Sequence, residues 1–199
     1  MKHCNQCGGL LAERVPKGED RKRKVCTVCE HVHYQNPLVV VGCVVEHGDQ
    51  VLLCRRAIEP AHGKWTIPAG FLELGETMAQ GAARETWEEA CAKVAIQSPH
   101  SHLELTHIGQ LHMTYRAQLA GGAFAAGEES LECQLFHEHE VPWSEMAFPA
   151  GIFALRLLFE DRKRGTAHLH QGDLKWNGEG SRFDPANYLV DGHLRTRLG

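Results

Sequence analysis

Glu85, Glu88 and Glu89 stand at i, i+3 and i+4 in the segment ARETWEEA, so on a helix their carboxylates share one edge. Three anions so placed repel unless they face water or a hard divalent cation neutralises them, and Mg2+ and Mn2+ prefer carboxylate oxygens. By spacing alone a solvated acidic face is the first reading and a metal site the second. A second constellation lies near the amino terminus, where Cys4-x2-Cys7 and Cys26-x2-Cys29 are separated by 18 residues. That spacing predicts a four-thiolate Zn2+ site, closed and therefore structural. Gly8 lets the first knuckle fold back. His31 and His33 follow closely and read as surface residues, since four cysteines already complete the site.

Both constellations need elements to hold them. Residues 1–35 are poor in aliphatics and too few to fold by burial alone, which is why a metal staple suits them. From Pro37 the run LVVVGCVVE predicts a largely buried strand, and QVLLCRR (50–56) a second, joined through a turn at Gly48 and Asp49. PAGFLELG (68–75) is loop. Thr77 and Gln80 form a capping-box pattern, and Ala79, Ala82, Ala83, Thr86, Ala90 and Val94 recur at the helical period. LELTHIGQLHMTYRAQLA (103–120) alternates like antiparallel strands, GGAFAAGEES reads as a mobile loop and LECQLF as a strand. A second amphipathic helix is predicted over 148–162, then one strand, TAHLH, and a tail of little periodicity. Strands interleaved with helices indicate an α/β or α+β layered fold.

The string from Gly70 to Ala92 resembles the Nudix box, G-x5-E-x7-R-E-U-x-E-E-x-G-U with U a bulky aliphatic: Gly70, Glu76, Arg84, Glu85, Glu88 and Glu89 match in register. Cys91 replaces the final glycine, and Thr86 and Ala92 occupy the aliphatic positions. The resemblance implies a Nudix α/β/α sandwich with a mixed sheet over 36–165, preceded by a zinc ribbon over 1–35 and followed by a carboxy-terminal strand and tail over 166–199. It also implies that Glu85, Glu88, Glu89 and the Gly70 backbone hold Mg2+ or Mn2+, and that Glu76 and Arg84 brace loop and helix. Glu132 is the expected further acidic residue, with Glu129 and Glu128 as alternates. The general base is Glu132 or a box glutamate. Arg55 and Arg56 are candidates for phosphate contact, and Tyr115 and Arg116 for the rest of the substrate.

Metal-dependent cleavage of a diphosphate linking a nucleoside to another group follows from that resemblance, with ADP-ribose or FAD preferred and AMP released. NADH pyrophosphatases with the ribbon layout carry S-Q-P-W-P-F-P after their box, whereas here the region reads Val141-Pro-Trp143-Ser-Glu-Met-Ala-Phe148-Pro149. NADH is therefore the alternative substrate, and a non-catalytic nucleotide-sensing regulator the alternative class. Such regulators usually lose box glutamates, and this box retains them.

Composition narrows the partners. The 199 residues carry 21 Lys+Arg against 25 Asp+Glu, a formal charge of -4 that argues against coating nucleic acid or an anionic membrane. The basic run Arg21–Lys24 is interrupted by Glu19 and Asp20 just before it and reads as a solvated hairpin tip. A small nucleotide is the expected partner; a homodimer is left open. No secretory pattern opens the sequence, so the expectation is cytoplasmic. Paired histidines such as His100/His102 and His168/His170 lack an acidic partner pattern and read as exposed, and Cys43, Cys54, Cys91 and Cys133 as small core residues.

Overall fold

A computed structural model describes residues 1–198, which divide into a unit over Met1–Pro37 and a second unit that begins at Leu38. In the first, strands β1 (Leu11–Arg14), β2 (Arg23–Cys26) and β3 (Val32–His33) form a small antiparallel sheet beneath the cysteine knuckles. Glu19 accepts from Arg23 Nε at 2.9 Å and from the Tyr34 hydroxyl at 2.7 Å, so part of the basic run is neutralised within the hairpin.

The second unit holds β4 (Leu38–His47), β5 (Gln50–Arg56), β6 (Trp65–Thr66), β7 (Ala69–Phe71), α1 (Met78–Ala90), β8 (Val94–Leu105), β9 (Gln110–Leu119), β10 (Ser130–Phe136), α2 (Pro149–Arg164), β11 (His168–Trp176) and β12 (Tyr188–Arg197). Among the described residues these strands make one mixed sheet in the order β10-β5-β4-β9-β8-β11-β12, with β6 paired to β5 and β7 to β4. The pairs β4/β9 and β8/β11 are parallel; the rest are antiparallel.

Why the central strands are continuously apolar is visible in their partners. Val41, Cys43, Val45, Leu52 and Cys54 pack with Ala82 and Ala90 of α1, while Val44, Val51 and Leu53 pack with Ile152, Leu155 and Leu158 of α2. Side chains that alternate between faces meet a helix on each side, which is the sandwich the sequence predicts. On β4, Glu46 is buried. Its carboxylate accepts from Arg116 Nε and Nη2 at 2.9 and 3.0 Å and from Arg162 Nη2 at 2.7 Å, tying β4 to β9 and α2.

Several expectations change. The carboxy-terminal tail contains a second strand: β12 pairs antiparallel with β11, whose other edge joins β8. Its weak hydrophobic signal is that of an edge strand, exposed over most of its length. Val94 belongs to β8 rather than to the buried stripe of α1. His100 and His170 are fully buried, not exposed: Asp161 of α2 supplies His170 with the acidic partner that the local sequence lacks, and His100 Nε2 bonds Ala154 O of the same helix. Burial lowers the His100 imidazole to a pKa of about 4, so it is neutral. Cys43 and Cys54 are core residues, whereas Cys91 is the left-handed cap of α1, with φ 47°, ψ 28° and its N–H donating to Trp87 O.

A non-glycine residue in the left-handed region carries about 1–2 kcal/mol of strain, partly offset by the greater chain entropy glycine loses on folding. Cys91→Gly is therefore expected to stabilise the protein by about 0.5–1 kcal/mol, read as a raised urea midpoint with an unchanged slope.

Candidate functional site

One guanidinium organises the carboxylates of α1. Arg84 donates from Nε to Glu76 Oε2 at 3.0 Å, from Nη2 to Glu76 Oε1 at 2.8 Å and to Phe71 O at 3.0 Å, and from Nη1 to Glu85 Oε1 at 2.7 Å and Glu88 Oε2 at 2.9 Å. Glu76 also accepts from Glu73 N, and the paired Arg84 guanidinium holds its pKa down to about 2. The loop before α1 is thus fastened to the helix through a fully ionised pair. Helix start and loop agree locally: Thr77 Oγ1 accepts from Gln80 N and Gln80 Oε1 accepts from Thr77 N.

The remaining carboxylates are under-compensated. Glu85 is pushed up by burial, and Glu89, only 6% exposed, is pushed up to about 8 by burial and then by the Glu85 charge. Glu129 adds to the negative field at both, and Arg56 opposes it at Glu89. Gly70 sits so close that a Cβ there would lie 2.3 Å from Glu85 Oε2. This backbone-lined group of carboxylates, with more negative charge than Arg84 can neutralise, suits a hard divalent cation.

A cavity of about 1180 Å3 opens in front of this edge, lined among others by Gly70, Glu85, Glu88, Glu89, Glu128 and Glu129. Its other walls include Arg56, Phe148, Trp87 and Ile58. The Arg56 guanidinium lies over the Phe148 ring at 5.0 Å and its Nε donates to Pro60 O at 2.8 Å. The loop carrying Glu128 and Glu129 is pinned rather than free: Ala125 N donates to Ala90 O and Gly127 N to Glu89 O. A Cβ on Gly127 would stand 1.8 Å from Glu88 O, so only glycine allows this approach.

Four candidates lie elsewhere. Glu132 is outside the cavity lining and pairs with Arg55 across β10 and β5 at 2.9 Å, while its alternates Glu128 and Glu129 face the carboxylates. Arg55 is committed to Glu132 and to Gly63 O. Arg116 serves Glu46, and Tyr115 packs in the core beneath α1. The resemblance points to Glu132, but that residue lies on β10 opposite Arg55, whereas Glu128 and Glu129 precede the strand and are brought to the carboxylates by the Gly127 N–Glu89 O bond. Phe148, Trp87 and Gly127 were not singled out in the sequence, and only the aromatic-proline pattern around Phe148 hinted at one of them.

In the other unit, Cys7 Sγ lies 3.4 Å from Cys26 Sγ and from Cys29 Sγ, and Cys4 Sγ 3.7 Å from Cys29 Sγ. These separations are far beyond a disulfide and close to the ~3.8 Å edge of a tetrahedron with ~2.3 Å metal–sulfur bonds. Gly8 adopts φ +76° at the first knuckle. Backbone N–H groups of Cys29 and Val28 bring the Cys26 thiol down to about 6. His33 is buried, with Nε2 3.3 Å from Cys4 Sγ, so it backs the cluster and is not a surface residue; His31 is exposed.

Comparison with known proteins identifies the family of each unit. The NUDIX domain family matches residues 36–152, and the Nudix N-terminal zinc-ribbon family matches residues 2–35. The crystal structure of a NUDIX hydrolase from Nitrosomonas europaea superposes with a TM-score of 0.85 at 48% identity, covering 87% of this chain and 99% of that one. An ADP-ribose pyrophosphatase of Methanocaldococcus jannaschii is 26% identical over 69% of this chain and 80% of its own length. An NAD-capped RNA hydrolase NudC of Vibrio atlanticus is 29% identical over 79% of this chain, which spans 56% of that relative's length.

Because folding raises the Glu89 pKa to about 8, a cation that binds the carboxylate must displace its proton below that pH. Calorimetric titration with Mn2+ at pH 7 is expected to release protons, seen as a heat that depends on the buffer's ionisation enthalpy. Apparent affinity should rise with pH and level off above about 8. Glu89→Gln should abolish the proton release.

Proposed function

The chain belongs to the Nudix hydrolases, as a pyrophosphohydrolase with an amino-terminal Nudix zinc ribbon, and on that premise we propose that it hydrolyses ADP-ribose or FAD to AMP and the phosphorylated remainder. The observation carrying the proposal is the cavity itself, whose acidic edge faces Arg56 and Phe148 across a space large enough for a dinucleotide-sized substrate. In support, the chain covers 80% of the ADP-ribose pyrophosphatase relative but 56% of the NudC relative. Trp143, part of the altered S-Q-P-W-P-F-P region, stacks edge-on against Phe159 of α2 and leaves only Phe148 at the cavity.

Glu85, Glu88, Glu89 and the Gly70 carbonyl hold Mg2+ or Mn2+ in this reading, and Arg84 with Glu76 keeps them aligned. The bound cation screens the diphosphate oxygens and lowers the pKa of a water. Glu129 replaces Glu132 as the acid that accepts the water's proton, because it reaches the field of Glu85 and Glu89. Arg56 contacts a phosphate oxygen and is held in place by Pro60 O. Phe148 and Trp87 offer faces on which the adenine or the second group stacks. The four cysteines hold one Zn2+ that folds the ribbon.

A panel of ADP-ribose, FAD, NADH, NAD-capped RNA and 8-oxo-dGTP, scored by kcat/KM at fixed Mg2+ or Mn2+, is expected to place ADP-ribose or FAD first and the triphosphate last. NADH or the capped RNA at the top would move the chain to the NudC type. Glu88→Gln or Glu89→Gln should lower kcat by orders of magnitude, and Glu129→Gln by about 100-fold with little change in KM, whereas Glu132→Gln should leave kcat near wild type. Full activity in the Glu88/Glu89 double variant would sink the catalytic assignment. Cys4→Ser/Cys7→Ser should cost one zinc per chain by elemental analysis and unfold the first 35 residues while part of the hydrolase activity survives.

A further inference from the structure

Beyond the cavity and the cysteine cluster, the described residues bring a third set of ligand-type side chains together: His100 of β8, Asp161 of α2 and His170 of β11, all fully buried. We propose that these three bind a divalent ion of the zinc class and that the ion clips β11 and β12 to the sandwich.

Each residue offers an atom within 4.8 Å of the other two. Ligands 2.0–2.1 Å from a tetrahedral ion stand roughly 3.4 Å apart, so a contraction of at most about 1.4 Å brings the three atoms to ligating distance and leaves a fourth position for water. His100 points to a ligand most directly. Its Nε2 donates to Ala154 O at 2.8 Å, which leaves the Nδ1 lone pair buried with no partner. A donor-less acceptor inside a protein is costly, and a carbonyl on the far nitrogen is the usual second contact of a metal-bound imidazole. The backbone is arranged to present that ring. Register shifts between Pro99 and Ser101 where β8 meets β9, so His100 is the unpaired residue of a bulge and is buried next to a buried Ser101, against the alternation of the strand.

The outer contacts fit the same assignment. Asp161 Oδ2 lies 3.1 Å from His170 Nε2, and Oδ1 accepts from His168 Nδ1 at 2.7 Å. His170 turns its other nitrogen to His193 Nε2 at 3.1 Å. Among the described residues Asp161 pairs with His168 and His170 and with no lysine or arginine. Two imidazole nitrogens and a carboxylate are a donor set for Zn2+. His193 is exposed and stacks on His170 at 5.3 Å, so a single side chain of β12 covers the cluster on that side.

The test uses tag-free, full-length protein equilibrated with Zn2+ and freed of loosely held metal. Elemental analysis is expected to give two zinc ions per chain in the wild type, one in His100→Gln and Asp161→Asn, and one in Cys4→Ser/Cys7→Ser. A measurement on the wild type covers variants that fail to fold. Long-range 1H–15N spectra should show the His100 Nδ1 and His170 Nε2 resonances moving on zinc addition, and amide exchange across residues 168–197 slowing by about tenfold. One zinc per chain with unmoved histidine resonances would overturn the proposal.

Discussion

Every part of the candidate site depends on the imbalance between one guanidinium and the carboxylates around it. Arg84 has five N–H donors, and the structure spends them on Glu76, Glu85, Glu88 and the Phe71 carbonyl. Glu76 takes two of these and is fully compensated. Glu89 receives none, lies buried against the Ala69 N–H, and keeps its proton to about pH 8 in the metal-free protein. The arrangement is therefore stable as a fold yet incomplete as an electrostatic unit, and in the proposed reading a divalent cation would complete it. A second arginine in place of that cation would satisfy the carboxylates permanently and leave nothing to meet a diphosphate.

Buried charge is handled differently on the far side of the sheet. Glu46 is compensated by two arginines from separate elements, Arg116 and Arg162, which makes it a structural tie whose carboxylate is held below its ordinary range despite the opposing cost of burial. The contrast between Glu46 and Glu89 separates a structural carboxylate from one proposed to be functional by the number of arginines bonded to it. Losing a partner at Glu46 would strand a charge, a cost of several kcal/mol; at Glu89 the missing partner is already the resting condition.

How much of this the sequence could reveal depends on whether the signal was local. The box residues lie within one loop and one helix, so their offsets translate into geometry, and the capping pair Thr77/Gln80 fixed the start of α1. The cysteine knuckles are equally local. Arg116, Glu132 and the histidines depended on pairing between distant strands. The partner of Arg116 is 70 residues away, Asp161 and His100 meet only through the packing of α2 on the sheet, and the acids facing the cavity are placed by bonds from the loop to the end of α1. β12 was missed for a different reason: a strand at the sheet edge buries too little to carry an alternating pattern.

Cys91 shows how a departure from a family pattern can be absorbed without disturbing the carboxylate edge. The position needs a left-handed residue so that the chain can leave α1, and glycine satisfies it without strain. Cysteine takes the same conformation here, with φ 47°. The compensation is visible in the loop that follows β9: Ala125 N and Gly127 N donate to the last carbonyls of the helix, Ala90 O and Glu89 O, which would otherwise end unpaired. The same two bonds set the Glu128–Glu129 segment beside the carboxylate edge. Closing the helix and delivering the extra acids are thus one structural event, and the tolerance for a strained cap follows from the loop that the site already requires.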